Sequence, residues 1–463
     1  VIGVVGAGTM GSGIAQLAAR AGARTLLHDP LPDALARGAE RARGGLQKEA
    51  AKGRLSPEQA AAAGERLLAA EALEALAECD LVIEAAPERL ELKHELYRRL
   101  GEIVSSECVL ATNTSSLLVT AIASAASQPE RVVGMHFFNP APVMRLLEVV
   151  AGEQSDERSL ALAHATGEAM GKTVIRAHDG PGFLVNRCNR PFGLEALRLL
   201  QERIADVETI DRIVRTEGGF RMGPFELMDL VGVDTGFEIS RSFYEQSFHE
   251  PRWRPSPITA RYVAAGRYGR KSGRGYYDYS RDPYRPPDLD PPAPPADEVG
   301  ARVSASPSAQ AGVGVSASPS AQAGVGVSAS PSAQAGVGVS ASPGTKAASP
   351  GAQAAAEATP AAAGVLERIL CQVINECAFA LGEGVGSAQD IDTGMVLGLN
   401  YPRGPLGWAD EIGLDRVLAV LDGLWEEYRE ERYRAAPTLR RLASEGRLGH
   451  AAGAGFFEYR SPD

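Results

Sequence analysis

The chain has 463 residues, of which 44% are apolar and 23% charged, and its formal net charge is −11. Length alone suggests about three domains at roughly 150 residues each. The charge argues against nonspecific nucleic-acid binding, which needs a basic face, and no run approaches the roughly 18 consecutive apolar residues of a membrane-spanning helix.

Fifty-one glycines and 30 prolines against 6% aromatic residues point either to many tight turns or to a segment that does not fold. The cysteines Cys79, Cys108, Cys188, Cys371 and Cys377 are odd in number and contain no CxxC pair. Neither a disulfide framework nor a zinc site is indicated, and a reduced, cytoplasmic compartment is expected. The start Val1-Ile2-Gly3-Val4-Val5 lacks a basic leader and runs straight into a glycine turn, so it does not read as a signal peptide. Because the chain starts without Met, a few residues are expected to precede Val1.

In chain order, Val1–Val5 reads as a strand, followed at once by Gly6-Ala7-Gly8-Thr9-Met10-Gly11 and a helical stretch. In such a GxGxxG turn the first glycine permits the tight turn, the second lets backbone approach a pyrophosphate, and the third lets helix and strand pack closely. The diphosphate then meets the free N–H groups of the helix N-terminus. Asp29 ends a second strand, Thr25–Asp29, about 20 residues on, where a carboxylate binds the adenosine ribose hydroxyls. With no Arg beside it, Asp29 favours NAD over NADP. Asp33–Lys52 and Ser56–Ala77 read as helices, the latter with an N-cap serine and Pro57 at its first position. Leu81–Ala85, Val109–Thr112, Val132–Phe137 and Leu147–Val150 read as further strands. This alternation predicts an α/β domain over residues 1–180, built on a parallel sheet covered on both faces.

From Pro181 to Tyr279 the strand signals fade and helical patterns take over, giving a helical domain over 181–280. Residues 281–359 hold twelve of the 30 prolines and a twelve-residue unit, VSASPSAQAGVG, repeated three times from Val303 to Gly338 and begun again at Val339. Each unit offers only two valines as sizeable apolar groups, too little burial to offset ordering the backbone, so a disordered linker is expected. Residues 360–463 repeat the helical block. An offset of 181 positions superposes Glu195 on Glu376, Ile210-Asp211 on Ile391-Asp392, Gly223-Pro224 on Gly404-Pro405, Asp229 on Asp410 and Asp234 on Asp415.

Three segments fall near the C-terminal ends of predicted strands, where open parallel sheets bind ligands: Asn113-Thr114-Ser115-Ser116, Met135-His136-Phe137-Phe138-Asn139-Pro140, and Leu147-Glu148-Val149-Val150. A fourth, Asp179 to Arg187, includes Asn186 at the domain junction. Singly, each polar residue has an ordinary structural reading. His136 can be a hydrogen-bonded strand residue, Glu148 a solvent-facing carboxylate, Ser115 an N-cap, and Asn186 a buttress. Together they suit oxidation of a secondary alcohol. An imidazole takes the hydroxyl proton, a carboxylate on its far nitrogen fixes the tautomer, and two polar side chains stabilise the alkoxide-like oxygen.

The set resembles that of the 3-hydroxyacyl-CoA dehydrogenases, in the bacterial form with two C-terminal helical copies, and the resemblance covers the chain apart from the linker. It implies a Rossmann-type NAD-binding domain followed by two all-α domains. It also implies interconversion of (S)-3-hydroxyacyl-CoA and 3-oxoacyl-CoA, as in β-oxidation of fatty or aromatic acids. His136 would be the acid–base residue, Glu148 its partner, and Ser115 and Asn186 the contacts of the reacting oxygen. Glu88, Lys93, Ser115, Asn139 and Lys271 match cofactor-contacting positions, and Lys52 falls where a lysine meets the CoA phosphates. No metal is implied. The second copy has Glu367 in place of Asn186 and Gly449-His450-Ala451 in place of Gly269-Arg270-Lys271. It is therefore expected to dock on the first copy rather than form a second site, and a homo-oligomer remains open. Two rivals stand beside this reading: a related dehydrogenase of free hydroxyacids, and a non-catalytic NAD-binding protein.

Overall fold

The computed structural model describes residues 1–286 and 364–459. Its first 180 residues form one eight-stranded sheet. The strands are β1 (Ile2–Val5), β2 (Thr25–His28), β3 (Leu67–Ala70), β4 (Leu81–Glu84), β5 (Val109–Thr112), β6 (Val132–Phe137), β7 (Leu146–Ala151) and β8 (Thr173–His178). They lie in the order β3-β2-β1-β4-β5-β6-β7-β8. β1, β4 and β5 are buried almost throughout, as expected for strands covered on both faces. The helices around the sheet are α1 (Thr9–Arg20), α2 (Pro32–Ala51), α3 (Pro57–Arg66), α4 (Leu90–Ile103), α5 (Val119–Ala123) and α6 (Glu157–Ala169). The order reverses at β1, which pairs with β2 on one side and β4 on the other. That reversal opens the crevice in which doubly wound sheets hold dinucleotides.

Three features depart from the sequence reading. The helix expected over Ser56–Ala77 stops at Arg66, and Leu67–Ala70 is the edge strand β3, paired in parallel with β2 from Thr25↔Leu67 to His28↔Ala70. Its Leu-Leu-Ala-Ala sequence favours a helix, but pairing with the open edge of β2 overrides that weak local preference. β8 was not anticipated, although Thr173-Val174-Ile175 is a β-branched run. The sheet is also not wholly parallel: β7 runs antiparallel to β6, placing His136 directly opposite Glu148.

The helical part follows as α7 (Val185–Gln201), α8 (Val207–Thr216), α9 (Pro224–Val231), α10 (Val233–Gln246) and α11 (Pro257–Ala264). Residues 281–286, assigned by sequence to the linker, are still anchored, with the Tyr284 hydroxyl donating to Glu226 at 2.8 Å. The repeats and the rest of the expected linker lie outside the described residues. The second block comprises α12 (Val365–Gly382), α13 (Ala388–Leu399), α14 (Pro405–Ile412), α15 (Leu414–Tyr428) and α16 (Pro437–Ser444).

The repeated carboxylates hold equivalent turns in both blocks. Asp211 accepts the N–H groups of Phe225 and Glu226 at the start of α9, each at 2.9 Å. Asp392 does the same for Leu406 and Gly407 at the start of α14, each at 2.8 Å. Asp229 accepts from Tyr276 and Tyr277, and Asp410 from Phe456 and Phe457. These are buried acceptors satisfying backbone donors, a structural role.

α7 and α12 pack on each other with reciprocal ion pairs. Arg187 meets Glu376 at 2.8 Å and Glu383 at 2.7 Å, while Arg368, its equivalent at the same offset, meets Glu195 at 2.5 Å and Glu202 at 2.9 Å. Each arginine of one copy thus pairs with the glutamates of the other, as in a two-fold, self-complementary interface. Burial alone lowers the basicity of Arg187 and Arg368, but the facing carboxylates more than reverse this. The second block also reaches the sheet, where the His178 N–H donates to the Val385 carbonyl at 2.8 Å.

Candidate active site

At the crevice, Gly6 has φ +98°, and a Cβ there would lie 2.5 Å from the Ala85 carbonyl oxygen at the end of β4. A Cβ on Gly11 would lie 1.7 Å from the Gly6 oxygen, whereas one on Gly8 would meet nothing within 4 Å. The turn is therefore closed on its inner side and open at Gly8. α1 starts there with Gly8 as N-cap, without a side-chain cap or an acidic residue in its first turn, so its first N–H groups suit a diphosphate. Asp29 follows β2 and accepts the Ala7 N–H at 2.8 Å and the Leu31 N–H at 3.0 Å, which fixes its carboxylate beside the turn. These residues fit NAD. Gly11→Ala is expected to force backbone apart, destabilising the domain by about 1–3 kcal/mol and weakening NADH binding. Fluorescence titration with NADH and thermal melting measure both effects, and an unchanged affinity would contradict this account of the turn.

His136 and Glu148 form the centre of the site. Being cross-strand neighbours on β6 and β7, their side chains share a face, and His136 Nδ1 lies 2.6 Å from Glu148 Oε2. Both are buried, at 5% and 0% exposure. The other oxygen, Oε1, accepts the N–H groups of Leu184 at 3.2 Å and Val185 at 3.0 Å, at the start of α7. The buried Glu148 carboxylate is thus met by a helix N-terminus on one oxygen and by an imidazole on the other. It also ties the sheet to the first helical copy, with Asn186 next along the chain. The imidazole is enclosed by Phe138 and Phe183, ring centroids 4.7 and 5.6 Å away. Phe183 holds a positive φ of 51°, an uncommon conformation for a bulky residue.

Ser115 sits on the loop after β5. The Glu88 carboxylate caps that loop, accepting from Thr114 Oγ1 at 2.6 Å and from the N–H groups of Ser115 and Ser116 at 2.8 and 3.0 Å. Burial works against its charge, but the Lys93 ammonium and these donors hold the carboxyl below its ordinary range. Lys93 is 1% exposed and lies 2.6 Å from Glu84 and 3.3 Å from Glu88. It acts on the loop through these carboxylates. Asn113 completes the link by accepting the Phe137 N–H at 2.9 Å, which joins the Ser115 loop to the residue after His136.

The other expected residues are placed as follows. Asn139 is half-buried just beyond β6 and precedes a cis proline. Asn186 is buried in the first turn of α7. Lys271 is exposed on the helical part and pairs with Asp234 at 2.7 Å. Lys52 is exposed at the C-terminal end of α2. Glu84, Asn113 and Phe183 were given no role from sequence. The apolar Leu-Val-Ile run before Glu84 is the signal for a buried carboxylate that needs partners. Glu367, at the position of Asn186 in the second copy, pairs with Arg416 at 2.8 Å.

A family model described as 3-hydroxyacyl-CoA dehydrogenase, NAD binding domain, matches residues 1–180. A second, described as 3-hydroxyacyl-CoA dehydrogenase, C-terminal domain, matches twice, over 182–279 and 365–459. The chain is 38% identical over 460 residues to the 3-hydroxyadipyl-CoA dehydrogenase of Escherichia coli, covering 96% of this chain and 97% of that protein. A crystal structure of 3-hydroxybutyryl-CoA dehydrogenase from Escherichia coli superposes with a TM-score of 0.77 at 33% identity, covering 96% of this chain and 98% of that one. The (S)-3-hydroxybutyryl-CoA dehydrogenase structure from Ralstonia eutropha covers 60% of this chain and 99% of its own, with a TM-score of 0.59 and 37% identity. With an NAD-binding domain and two C-terminal domains matched over nearly all of its described residues, the chain belongs to the 3-hydroxyacyl-CoA dehydrogenase family.

Proposed function

We propose that the chain interconverts (S)-3-hydroxyacyl-CoA and 3-oxoacyl-CoA, with His136 as general acid–base and Glu148 as its positioning partner. The observation that carries this is the buried 2.6 Å pair between them, with the second carboxylate oxygen held by the start of α7. NAD, held by Gly6 to Gly11 and Asp29, would supply the hydride acceptor for C3 of the alcohol. The chain's own work is proton transfer and orientation. Glu148 takes the Nδ1 hydrogen bond, so Nε2 is the basic nitrogen that receives the hydroxyl proton in oxidation and returns it in reduction. Ser115 and Asn186 hydrogen-bond the reacting oxygen, and their benefit grows as negative charge develops on it.

Gly6 to Gly11 and Asp29 hold the adenosine half of the cofactor. Glu88 and Lys93 fix the Ser115 loop against the nicotinamide half, with Asn139 and Lys271 as further contacts and Lys52 on the CoA phosphates. The domains run 1–180, 181–286 and 360–463, the first helical domain reaching six residues beyond its sequence-based end. The second copy docks on the first through α7 and α12 and stands where a dimer partner would. No described helix is long and apolar enough to cross a membrane, and we place the protein in the cytoplasm.

The test is reduction of acetoacetyl-CoA, followed by loss of NADH absorbance, with the hydroxyl product resolved by configuration. The (S) thioester is expected. Asp29 places an unneutralised carboxylate where a 2′-phosphate would sit, so NADPH is expected to serve about 100-fold less well in kcat/KM, a like-charge cost of a few kcal/mol. An (R) product or equal use of NADPH would overturn the corresponding part of this reading.

A further inference from the structure

We infer that the second helical copy is a positioning element of the active site: α13 and the turn before it brace the residues that hold Glu148, a part that the first copy's own sequence could not play. This rests on the reading above that Glu148 fixes His136 for proton transfer. The reciprocal ion pairs of α7 and α12 treat the two copies alike. The contacts that break this two-fold relation gather behind His136 and Glu148, where α13 lies on α7, β7 and β8.

Three glycines of the second copy make those contacts. Gly394 and Gly398 are buried one turn apart on α13, and Gly386 lies in the turn before it. A Cβ on Gly394 would lie 2.7 Å from Val185 Cγ2, and one on Gly386 2.7 Å from Leu184 Cδ2. One on Gly398 would lie 2.8 Å from Leu146 Cδ2 and 3.3 Å from Phe138 Cε1. Glycine inside a helix costs roughly 1 kcal/mol relative to alanine, so close approach, not helix formation, accounts for the two in α13. Leu184 and Val185 are the residues whose N–H groups hold Glu148 Oε1, and the Phe138 ring packs on His136. At the 181-residue offset the first copy has Ala205, Ile213 and Glu217 in place of these glycines. A second chain docking through its first copy would drive those side chains into Leu184, Val185 and Leu146.

Two further contacts break the symmetry on the same side. The Val385 carbonyl accepts the His178 N–H at 2.8 Å, and Val385 is 9% exposed against 49% for its equivalent Ile204. The Tyr401 hydroxyl donates at 2.9 Å to Oδ1 of Asn189, three residues beyond Asn186 on α7, whereas the equivalent Phe220 has no hydroxyl. Val185 is the most direct link to the chemistry. Its β-branched side chain is stiff at χ1, so displacing it moves the backbone N–H that Glu148 accepts, and through Glu148 the imidazole.

The experiment is steady-state reduction of acetoacetyl-CoA by the full-length Gly394→Ala variant beside the wild type. Its kcat is expected to fall about 10- to 100-fold, the cost of moving a catalytic group by up to an ångström. KM for the thioester and affinity for NADH should stay within about 2-fold, since binding groups are untouched. Adding Val185→Ala removes the crowded methyl groups and should lift kcat to that of Val185→Ala alone. Unchanged kcat, a loss carried by KM alone, or a loss that Val185→Ala does not relieve overturns the inference. If Gly394→Ala does not fold, Gly398→Ala gives the same readout, with Leu146→Ala as the relieving change. Wild-type turnover beside an unaffected variant sinks only this inference, whereas no turnover by the wild type sinks the dehydrogenase reading itself.

Discussion

Replacing His136 by Gln is expected to lower kcat for acetoacetyl-CoA reduction by about 10²–10⁴-fold, the usual worth of a positioned acid–base group. NADH affinity should hold, because His136 packs against Glu148, Phe138 and Phe183 rather than against the dinucleotide turn. Glu148→Gln makes the sharper companion. Its oxygen would stay with the Leu184 and Val185 N–H groups, because an amide NH2 cannot accept from them. The NH2 must then face His136 Nδ1, which forces that nitrogen to accept and puts the ring proton on Nε2. The imidazole is then held in the wrong tautomer to act as a base for alcohol oxidation. Loss in the oxidation direction should therefore approach that of His136→Gln while the fold persists. Steady-state kinetics in both directions checks this, and normal turnover by either variant would end the proposed proton path.

Arg368→Met is expected to destabilise the helical part by about 3–5 kcal/mol, because it leaves Glu195 buried without its counter-charge. Arg368 is 2% exposed and contacts Glu195, Glu202 and the Tyr433 hydroxyl. Adding Glu195→Leu should recover much of the loss, since an apolar pair of similar volume dispenses with both desolvation costs. Activity should fall with stability in the single variant, as α7 carries both Asn186 and the N–H groups that hold Glu148. Urea denaturation of the two variants measures the coupling. If Arg368→Met leaves the midpoint unchanged, the reciprocal pairs do not hold the two copies together.

The site's chemistry was more legible in sequence than its architecture. Gly6, Gly8, Gly11 and Asp29 announce themselves because backbone closeness and a ribose carboxylate demand specific residues at fixed spacing. His136 and Glu148 could be named from the sequence, but their contact depends on β7 running antiparallel to β6. Strand direction is decided by tertiary packing, so no local pattern reveals it. β3 was hidden for the same reason: Leu67–Ala70 is extended only because β2 offers an edge. The setting of Lys93 could not be read from its place in the chain. Its burial between Glu84 and Glu88 turns a surface-type residue into the counter-ion that holds the Ser115 loop. The reciprocity of Arg187 with Glu376 and Arg368 with Glu195 lay in the 181-residue offset, yet it became visible only when α7 and α12 met.

The central claim is that the His136–Glu148 pair serves a CoA thioester. The most direct measurement is kcat/KM for acetoacetyl-CoA against free acetoacetate at saturating NADH, with the wild-type full-length protein. The account predicts that the thioester is turned over by a factor of at least about 10²–10³ more efficiently, since binding energy from the remote CoA moiety is used in the transition state. Faster turnover of the free acid, or turnover of neither, would contradict it.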